Sequence, residues 1–235
     1  MTAERSEFAN SGNTGNISIA IDGPAGAGKS TIAKEISKRL SITYVDTGAM
    51  YRAIGLKAMR MGIDPADARR VVPMLDGTNV SIEYVDGVQH VLLDGEDVSG
   101  LIRTEEVSHY ASVISTIPEV RKKLVELQQQ LAVKENVIMD GRDIGTVVLP
   151  NADVKIYLTA SSKVRAKRRY EELTSKGEVC DLEQIEQDII DRDYRDMNRE
   201  TSPLKQADDA VLLDSSDLDI DGVVEKMKEI IKSRV

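Results

Sequence analysis

The sequence predicts an α/β fold: a doubly wound, five-stranded parallel sheet with helices on both faces. The first observation behind this prediction is that short β-branched runs alternate with helical patterns along the chain. The second is a glycine-rich loop between the first run and the first helix, which is the position of a P-loop. The third is a segment, residues 65–100, that alternates apolar and polar residues and predicts a small antiparallel sheet in an insertion.

The first strand is predicted over the run ISIAI, residues 17–21, which is typical of strands covered on both faces. After the glycine-rich loop, apolar residues recur at helical spacing over residues 29–40. A second strand, ITYV at residues 42–45, precedes a helix that begins near Gly48. These elements form the start of a repeated strand and helix pattern.

The next region breaks that pattern. The stretch VSIEYVDGVQHVLLDGEDV alternates apolar and polar residues around Asp86-Gly87, which predicts a hairpin rather than a parallel strand. Two helices follow, at residues 103–116 and 118–135, and Pro118 suits the first turn of the second. We therefore predict an inserted subdomain at residues 65–125.

Three more strands complete the predicted sheet. They are VIMD at residues 137–140, VKIYLTA at 154–160 and AVLLDSS at 210–216, the last of which leads into an amphipathic C-terminal helix. Ligands of doubly wound sheets bind at the carboxyl ends of the strands. Residues that directly follow these strands are therefore the first candidates for a functional site.

Composition excludes several classes of function. The 235 residues carry a formal net charge of -9 and only 3% aromatic residues, which argues against a nucleic-acid binder or a protein that binds anionic membranes. His90 and His109 are the only two histidines, and neither has a metal-ligand spacing. Since no G-x-S-x-G motif is present either, zinc chemistry and Ser-His hydrolysis are disfavoured.

The sequence also predicts a cytoplasmic protein. The polar residues 1–16 lack the apolar region of a signal peptide, and we expect them to form a disordered tail. No later stretch approaches the roughly 18 apolar residues that a membrane span requires. The single cysteine, Cys180, cannot form an internal disulfide, which suits a reducing compartment.

The motif GPAGAGKS, residues 23–30, matches the P-loop pattern G-x-x-x-x-G-K-[ST] at every position. Its glycines let backbone N–H groups surround phosphate oxygens at the start of a helix. We expect Lys29 to reach the β- and γ-phosphates and Ser30 to offer its hydroxyl to Mg²⁺. The predicted ATP-binding residues of this segment are Gly23, Pro24, Ala25, Gly26, Ala27, Gly28, Lys29, Ser30 and Thr31.

A P-loop alone does not distinguish a switch GTPase, an ATPase motor and a kinase. Guanine-specific GTPases usually carry an N-K-x-D motif, which is absent from this sequence. Stretches that carry arginine follow the P-loop at residues 45–52, 164–169 and 192–199. Their cations exceed what one nucleoside triphosphate needs, and this favours a kinase whose acceptor is itself anionic.

In the last stretch, the spacing of Arg192, Arg195 and Arg199 predicts one arginine-bearing helix face. The alternative is a solvated surface with ion pairs such as Arg168 with Glu172, each worth a few tenths of a kcal/mol. Transfer between two phosphates needs no general base, because the acceptor, with a second pKa near about 6, is already ionised. It needs arginines and Mg²⁺ that align two anions and disperse the transition-state charge.

The chain resembles the bacterial cytidylate kinases, the CMP kinase branch of the nucleoside monophosphate kinases, from about Ile17 to its C-terminus. The stretches that carry this resemblance are IDGPAGAGKST, VDTGAMYR, LLDGEDVSGLIRTEEVS, MDGRDIGTVVLPNADVKIYLTAS and RDYRDMNRETSPL. The resemblance implies one kinase domain at residues 17–235, with its core at 17–64, 126–160 and 200–235. Residues 65–125 would be the monophosphate-binding insertion, and residues 161–199 a helical lid.

The resemblance also implies the role of individual residues. Around the acceptor phosphate it places Thr47, Arg52, Arg142 and Arg199, with Tyr51 close by; at the cytosine ring Ser112, Arg121 and Asp143; and at the sugar Arg192 and Asp196. The expected catalytic groups are Lys29, Arg142, Arg192 and Arg199. The lid arginines Arg165, Arg168 and Arg169 are equivalent on this evidence, and we expect Arg165 and Arg168 to contact ATP.

The stretch IMDGRDIG, residues 138–145, gains a physical explanation from this resemblance. Asp140 could hold Mg²⁺ through water, together with Ser30. Arg142 supplies a planar fork that matches phosphate oxygens. Asp143 can accept a hydrogen bond from the exocyclic amine of cytosine, whereas uracil presents a carbonyl oxygen there, a mismatch that typically costs about 1–3 kcal/mol.

The expected activity is transfer of the γ-phosphoryl group of ATP to CMP and dCMP, with Mg²⁺, in pyrimidine metabolism. We expect a monomer that binds small molecules, and neither nucleic acid nor membranes. Two alternatives stay open at this point: a switch that hydrolyses ATP or GTP and signals through a partner, and an RNA-binding module. The acidity of the chain disfavours the second.

Overall fold

The computed structural model describes residues 16–235, so the predicted tail, apart from Asn16, lies outside the described residues. The described chain forms two compact units. The first runs up to Tyr44 and resumes over Lys134–Val235, and the second is Val45–Val133. The predicted boundaries of the insertion (65–125) and the lid (161–199) stay predictions.

The first unit is built on the predicted five-stranded parallel sheet. From edge to edge the strands are β2 (Thr43–Asp46), β6 (Val137–Gly141), β1 (Ser18–Asp22), β7 (Val154–Thr159) and β8 (Val211–Asp214). The helices of this unit are α1 (Lys29–Leu40), α6 (Ser162–Ser175), α7 (Leu182–Asn198) and α8 (Ile220–Lys232). The predicted fold class is thus confirmed.

The order of the strands decides which loops meet. Strand β1 lies between β6 and β7, and the register aligns Asp22 with Gly141 on one side and with Tyr157 on the other. The chain segments that follow β1, β6 and β7 therefore all leave the sheet at the carboxyl ends of the strands. Fully buried side chains from these strands, among them Ile21, Ile138 and Ile156, belong to the core of this unit.

Helix α1 begins and ends as the sequence predicts, at Lys29 and Leu40. The main surprise in this unit is a π-helical turn, Ile144–Val148, directly after the segment Arg142–Asp143. Its short length and its apolar composition, IGTVV, left no periodic signal in the sequence. No helix within residues 16–235 is long and apolar enough to cross a membrane.

Gly23 opens the P-loop in a conformation that requires glycine. Its φ is +148°, and a Cβ there would lie 1.9 Å from the carbonyl oxygen of Leu158 in β7. We expect Gly23→Ala to lower the free energy of unfolding by more than about 3 kcal/mol, because the backbone must move to relieve the collision. Chemical denaturation of the purified variant measures this loss.

The matched control is Gly177→Ala. Gly177 has a φ of +81°, and nothing lies within 4 Å of the Cβ that an alanine would add. This control carries the backbone strain of a positive φ without the collision. An equal loss of stability in the two variants would contradict the steric explanation for Gly23.

The second unit contains the predicted antiparallel sheet and helices. The strands β3 (Val80–Val85), β4 (Val88–Leu93) and β5 (Glu96–Asp97) lie in that order, and β3 and β4 pair around Asp86-Gly87. The helices are α2 (Thr47–Arg60), α3 (Ala68–Asp76), α4 (Glu105–Ile114) and α5 (Pro118–Lys134). Helix α3 was not predicted, because Pro73 inside it interrupts the pattern.

The core of the second unit forms where α2 packs against α4. Met50 and Ile54 of α2 and Val107 of α4 are fully buried in it. Gly55 permits this packing, since a Cβ there would lie 3.0 Å from the backbone nitrogen of Ala111. The predicted helix start at Pro118 is confirmed, because α5 begins at that residue.

Candidate active site

The P-loop forms the centre of the candidate site in the first unit. Gly26 and Gly28 adopt positive φ values of +76° and +89°, which turn the loop back toward the start of α1. Gly28 occupies the position before the helix and has no side chain to cap it. The first N–H groups of α1 are therefore available to an anion, in line with the helix dipole.

Lys29 lies buried under the P-loop. Its Nζ donates a hydrogen bond to the carbonyl oxygen of Pro24 at 2.7 Å. Burial lowers the pKa of Lys29 well below its ordinary value, and the nearby guanidinium groups of Arg142 and Arg192 lower it further. Arg142 and Arg192 thus both disfavour the charge of Lys29. Such a group of cations is typical of a site that binds an anion.

Ser30 and Asp140 meet as the P-loop mechanism requires. The Ser30 Oγ donates to Asp140 Oδ2 at 2.9 Å, and the Tyr44 hydroxyl donates to Asp140 Oδ1 at 2.8 Å. Tyr44 belongs to β2 and is itself buried. This hydroxyl therefore holds the carboxylate of Asp140 in one orientation, next to Ser30.

The segment after β6 places Arg142 against Asp196 of α7. The Arg142 Nε donates to Asp196 Oδ2 at 2.8 Å. Burial alone would lower the pKa of Arg142, but the Asp196 carboxylate raises it; burial would raise the pKa of Asp196, but Arg142 lowers it. Each partner thus keeps the other charged, and the pair fixes the direction of the guanidinium group.

Asp143 is buried, at 4% exposure, close to Arg199. The Arg199 Nη2 lies 3.8 Å from Asp143 Oδ1, and its Nη1 lies 3.9 Å from Asp196 Oδ1. The Arg199 Nε donates to the carbonyl oxygen of Ser202 at 2.6 Å, which anchors this side chain. The structure therefore brings the predicted residues Arg142, Asp143, Asp196 and Arg199 together.

The prediction of one arginine face on the last stretch is wrong. Helix α7 ends at Asn198, and Arg199 follows it with an extended backbone. Arg195 is exposed, whereas Arg192 is half-buried and lies close enough to Lys29 and Asp196 to shift their pKa values. The buried residues on the inner face of α7 include Asp193 and Asp196, which hold arginines of other segments.

Arg165 of α6 is anchored by three partners. It donates to the carbonyl oxygens of Ala160 at 2.9 Å and Ala25 at 2.8 Å, and to Asp193 Oδ2 at 2.6 Å. Its stem also crosses the P-loop, since a Cβ on Gly26 would lie 3.3 Å from Arg165 Cβ. Arg165 therefore holds the backbone of the P-loop, and its predicted contact with ATP stays a prediction.

Arg168 does not form the surface pair with Glu172 that was the alternative to function. It donates to Ser215, at 3.2 Å to Oγ and at 2.7 Å to the carbonyl oxygen, whereas Arg169 makes the pair with Glu172 at 2.8 Å. Arg168 lines a pocket of about 490 Å³ beside the P-loop. The full lining is Ala27, Gly28, Thr31, Ile32, Arg168, Ser215, Leu218, Asp219, Ile220, Asp221 and Val223.

The second unit has its own cluster of cations at the start of α2. Asp46 caps this helix by accepting from the Ala49 N–H, and its Oδ2 also accepts from Arg52 at 2.9 Å and from Arg103 at 3.2 Å. One carboxylate thus serves two guanidinium groups, which leaves net positive charge beside Thr47. The Nε of Arg52 is buried and has no hydrogen-bond partner among residues 16–235.

The remaining predicted residues of the second unit lie around Arg121. This buried guanidinium group lies 5.5 Å from the centre of the Tyr51 ring and donates to the carbonyl oxygen of Ser115 at 3.1 Å. Ser112 is half-buried in α4, and its carbonyl oxygen accepts from the Ser115 hydroxyl at 2.9 Å. Arg121 therefore contacts Tyr51 directly, and it is linked to Ser112 through Ser115.

Comparison with known proteins identifies the family. The model of the family described as cytidylate kinase matches residues 19–233. A cytidylate kinase from Caldicellulosiruptor bescii is 54% identical over 214 residues, which cover 91% of this chain and 95% of that protein. Another from Lactobacillus johnsonii is 50% identical over 218 residues, covering 93% of this chain and 95% of the relative. This chain belongs to the cytidylate kinase family.

A solved structure agrees with the fold. The crystal structure of an uncharacterized protein from Eubacterium ventriosum is similar with a TM-score of 0.52 and 13% identity, over 93% of this chain and 99% of that one. At this identity the likeness concerns the fold alone. The resemblance to cytidylate kinases that the motifs predict is confirmed, and so is the prediction of a kinase on a P-loop fold.

Several residues that hold the clusters of this cytidylate kinase family member were not predicted from the sequence. They are Asp22, Tyr44, Asp46, Arg103 and Asp193. Asp22 and Asp46 directly follow apolar runs, and this position at a strand end is a signal that could have identified them. Tyr44, Arg103 and Asp193 act through partners far away in the chain, for which a single sequence contains no local signal.

Proposed function

We propose that this cytidylate kinase family member transfers the γ-phosphoryl group of ATP to CMP and dCMP, with Mg²⁺, by in-line displacement. The observation that carries the proposal is the P-loop, with Lys29 buried at the open start of α1 and Arg142 held by Asp196 in the segment after β6. A P-loop that only hydrolyses a triphosphate needs its lysine and the metal ion. Additional buried guanidinium groups are expected when a second anion must approach the first.

We propose that ATP binds with its phosphates in the P-loop and its adenine in the pocket beside it. The pocket of about 490 Å³ has the size of a small-molecule site, and its walls combine P-loop and α8 residues with Arg168. A guanidinium group can stack on a purine ring. The predicted donor residues Ala27, Gly28, Thr31 and Arg168 all line this pocket.

For the acceptor, we propose that Arg142 and Arg199 bind the phosphate of the monophosphate and that Arg192 and Asp196 contact its sugar. The ionised phosphate attacks without losing a proton to the protein, since its second pKa is near about 6. The arginines then reduce the repulsion between the two nucleotides and stabilise the charge that develops on the transferred group. Asp193 and Asp196 contribute by holding Arg165 and Arg142 in place.

Asp143 is proposed to select cytosine. Its carboxylate is buried, so a base edge that faces it should present a donor and not an acceptor. The exocyclic amine of cytosine supplies such a donor, whereas the carbonyl oxygen of uracil would repel the carboxylate. In the second unit, Ser112 and Arg121 are proposed to contact the base, and Thr47, Tyr51 and Arg52 the phosphate.

Ser30 and Asp140 would hold Mg²⁺. Mg²⁺ in phosphoryl-transfer enzymes is bound by one or two protein oxygens together with phosphate oxygens and water. The donor set fits this description, because a hydroxyl and a carboxylate lie 2.9 Å apart. When bound, Mg²⁺ neutralises phosphate charge. Tyr44 keeps Asp140 oriented for it.

A cytoplasmic monomer remains our proposal for location and assembly. The single cysteine is what supports the location. The net charge of -9 supports the proposal that the ligands are small anions, and not nucleic acid or anionic membranes. Buried arginines would bind these anions locally.

The test is an acceptor panel with ATP and Mg²⁺, with ADP release as the measurement. We expect kcat/KM for CMP to exceed that for UMP by about tenfold or more, since one mismatched base edge costs about 1–3 kcal/mol. dCMP should be phosphorylated, and AMP and GMP should react poorly. Equal rates with CMP and UMP would contradict the role of Asp143. ATP consumption that does not depend on a monophosphate would support the nucleotide-dependent switch instead.

A further inference from the structure

Asp22 is a buried carboxylate that the proposed reaction does not use. It is the last residue of β1, directly before the P-loop, and its side chain is almost fully buried. Its Oδ1 accepts from the Ile144 N–H and its Oδ2 from the Gly145 N–H, both at 2.7 Å. Both oxygens thus bind consecutive backbone groups that lie more than a hundred residues away in the chain.

These two N–H groups belong to the start of the π-helical turn Ile144–Val148. The first N–H groups of a helical turn have no carbonyl partner within it and need an external acceptor. The side chain of Asp143, the residue before the turn, does not cap it. Asp22 performs this function from another strand, and it thereby fixes where the turn begins and how the preceding segment Arg142–Asp143 leaves β6.

The contact leaves little room for a side chain on Gly145, because the Asp22 carboxylate or the Lys155 stem would have to shift. A Cβ there would lie 3.3 Å from Asp22 Oδ2 and 3.2 Å from the Cδ atom of Lys155. The backbone of Gly145 is therefore held between the carboxylate of Asp22 and the stem of Lys155. Because an added methyl group would separate the N–H group from its acceptor, Gly145 offers a second way to test this contact.

Asp22 is retained at a cost to stability. Burial raises the pKa of Asp22 to about 6, although the two backbone hydrogen bonds lower it. The Asp143 carboxylate raises this pKa further, and Lys29 lowers it. At neutral pH the ionised group thus sits in a place that disfavours its charge. A costly buried group beside a functional segment is more often kept for positioning than for stability.

We infer that Asp22 is a positioning residue of the kinase: by capping the turn at Ile144 and Gly145 it aims Arg142 at the acceptor phosphate and Asp143 at the base. The inference rests on the proposed function, because it concerns the residues that the proposal assigns to the monophosphate. It adds a link between the P-loop strand and the acceptor-binding segment. Loss of this link should impair the use of the monophosphate more than the binding of ATP.

The first test is Asp22→Asn. Asparagine keeps one acceptor oxygen but turns an amide group toward the other N–H, so one of the two hydrogen bonds must break. We expect kcat/KM for CMP to fall by about tenfold or more, because small displacements of positioning groups have effects of this size. The Kd for ATP without CMP should change by less than about threefold. The ratio of kcat/KM for CMP to that for UMP should also fall, since Asp143 is no longer aimed at the base.

The control variant is Asp153→Asn. Asp153 accepts from the N–H and the hydroxyl of Ser18, at 2.8 and 2.9 Å, at the opposite end of the same strand. It also binds a backbone N–H from another segment, but it lies away from the proposed reaction. Both kcat/KM for CMP and the CMP to UMP ratio should therefore stay at the wild-type value. If Asp22→Asn loses activity while keeping the CMP to UMP ratio, or if Asp153→Asn changes that ratio equally, the inference is overturned.

Stability gives an independent readout. The groups around Asp22 are Lys29 of α1, Asp143, the stem of Lys155 and Tyr157 of β7. Since its folded pKa is raised, protonated Asp22 stabilises the fold at low pH, and this contribution is lost as pH rises from about 4 to about 6. Relative to Asp22→Asn, the wild type should therefore lose thermal stability over this range. If Asp22 served stability alone, the Asp22→Asn variant would instead be less stable than the wild type at neutral pH.

Gly145→Ala tests the same contact without touching the carboxylate. It should reproduce the loss of kcat/KM for CMP and of the CMP to UMP ratio, again with little change in the Kd for ATP. If Asp22→Asn fails to fold, this variant decides the question, and an unchanged ratio in it overturns the inference. Failure of the wild type to phosphorylate CMP would instead refute the proposed function, so the two failures are distinguishable.

Discussion

Replacement of Lys29 by methionine is expected to lower kcat for ADP formation by about 10³-fold. Lys29 is 6% exposed, and its Nζ is held at 2.7 Å from the carbonyl oxygen of Pro24. In the proposed reaction, the ammonium group stabilises the negative charge of the transferred phosphoryl group. Water cannot replace it there because the site is buried. Methionine fills the same volume without the charge.

The variant should remain folded, since an ammonium group buried beside Arg142 and Arg192 does not stabilise the protein without an anion. Thermal unfolding without nucleotide checks this point, and single-turnover kinetics with saturating CMP measure the chemical step. Lys38→Met, in the exposed last turn of the same helix, is the control and should retain full activity. A Lys29→Met enzyme within about tenfold of wild type would contradict the assignment.

The strands and the P-loop could be predicted because their signals are local. Apolar runs such as residues 17–21 and 154–160 reveal buried strands by composition, and GPAGAGKS reveals its loop by spacing. The hairpin at Asp86-Gly87 was equally clear. Helix α3, which has Pro73 in its interior, was not predicted.

The arrangement of the site could be predicted only in part, because most of its contacts join distant segments. The motifs identified Arg142 and Asp196 separately, but not that they form a pair at 2.8 Å. For Arg165, local reasoning suggested a ligand contact, whereas its donors meet the backbone of the P-loop and Asp193. The prediction from helical spacing was also wrong at Arg199, because the helix ends one residue earlier, at Asn198. The position of a helix end cannot be predicted to one residue.

Aspartates explain how an acidic chain can hold so many buried arginines. Arg142, Arg165 and Arg52 each contact a buried carboxylate, Asp196, Asp193 and Asp46 respectively. Such pairs do little for stability, since desolvation offsets the attraction. They do fix the guanidinium groups before a substrate arrives, and fixed charges act on a transition state without the reorganisation that water would need. In the proposed reaction, the aspartates therefore position the arginines.

Arg142→Ala is expected to lower kcat/KM for CMP by about 10³-fold while the Kd for ATP changes by less than about threefold. Arg142 lies between β6 and the turn that Asp22 caps, and its Nε donates to Asp196. Bidentate binding of phosphate requires this planar fork. Arg142→Lys should therefore recover only part of the lost activity, although it restores the charge.

Loss of Arg142 also leaves Asp196 with a weaker partner, since the Arg199 Nη1 is 3.9 Å away. Removing one member of a buried pair is typically destabilising by about 3–5 kcal/mol, so unfolding must be measured on the same samples. Asp196→Asn separates the two effects, because it weakens the pair but keeps the guanidinium group. Arg195→Ala, exposed on α7, is the charge-matched control and should behave as wild type. If Arg142→Ala weakened ATP binding as much as CMP use, Arg142 would belong to the donor site and the assignment of the acceptor phosphate would have to be abandoned.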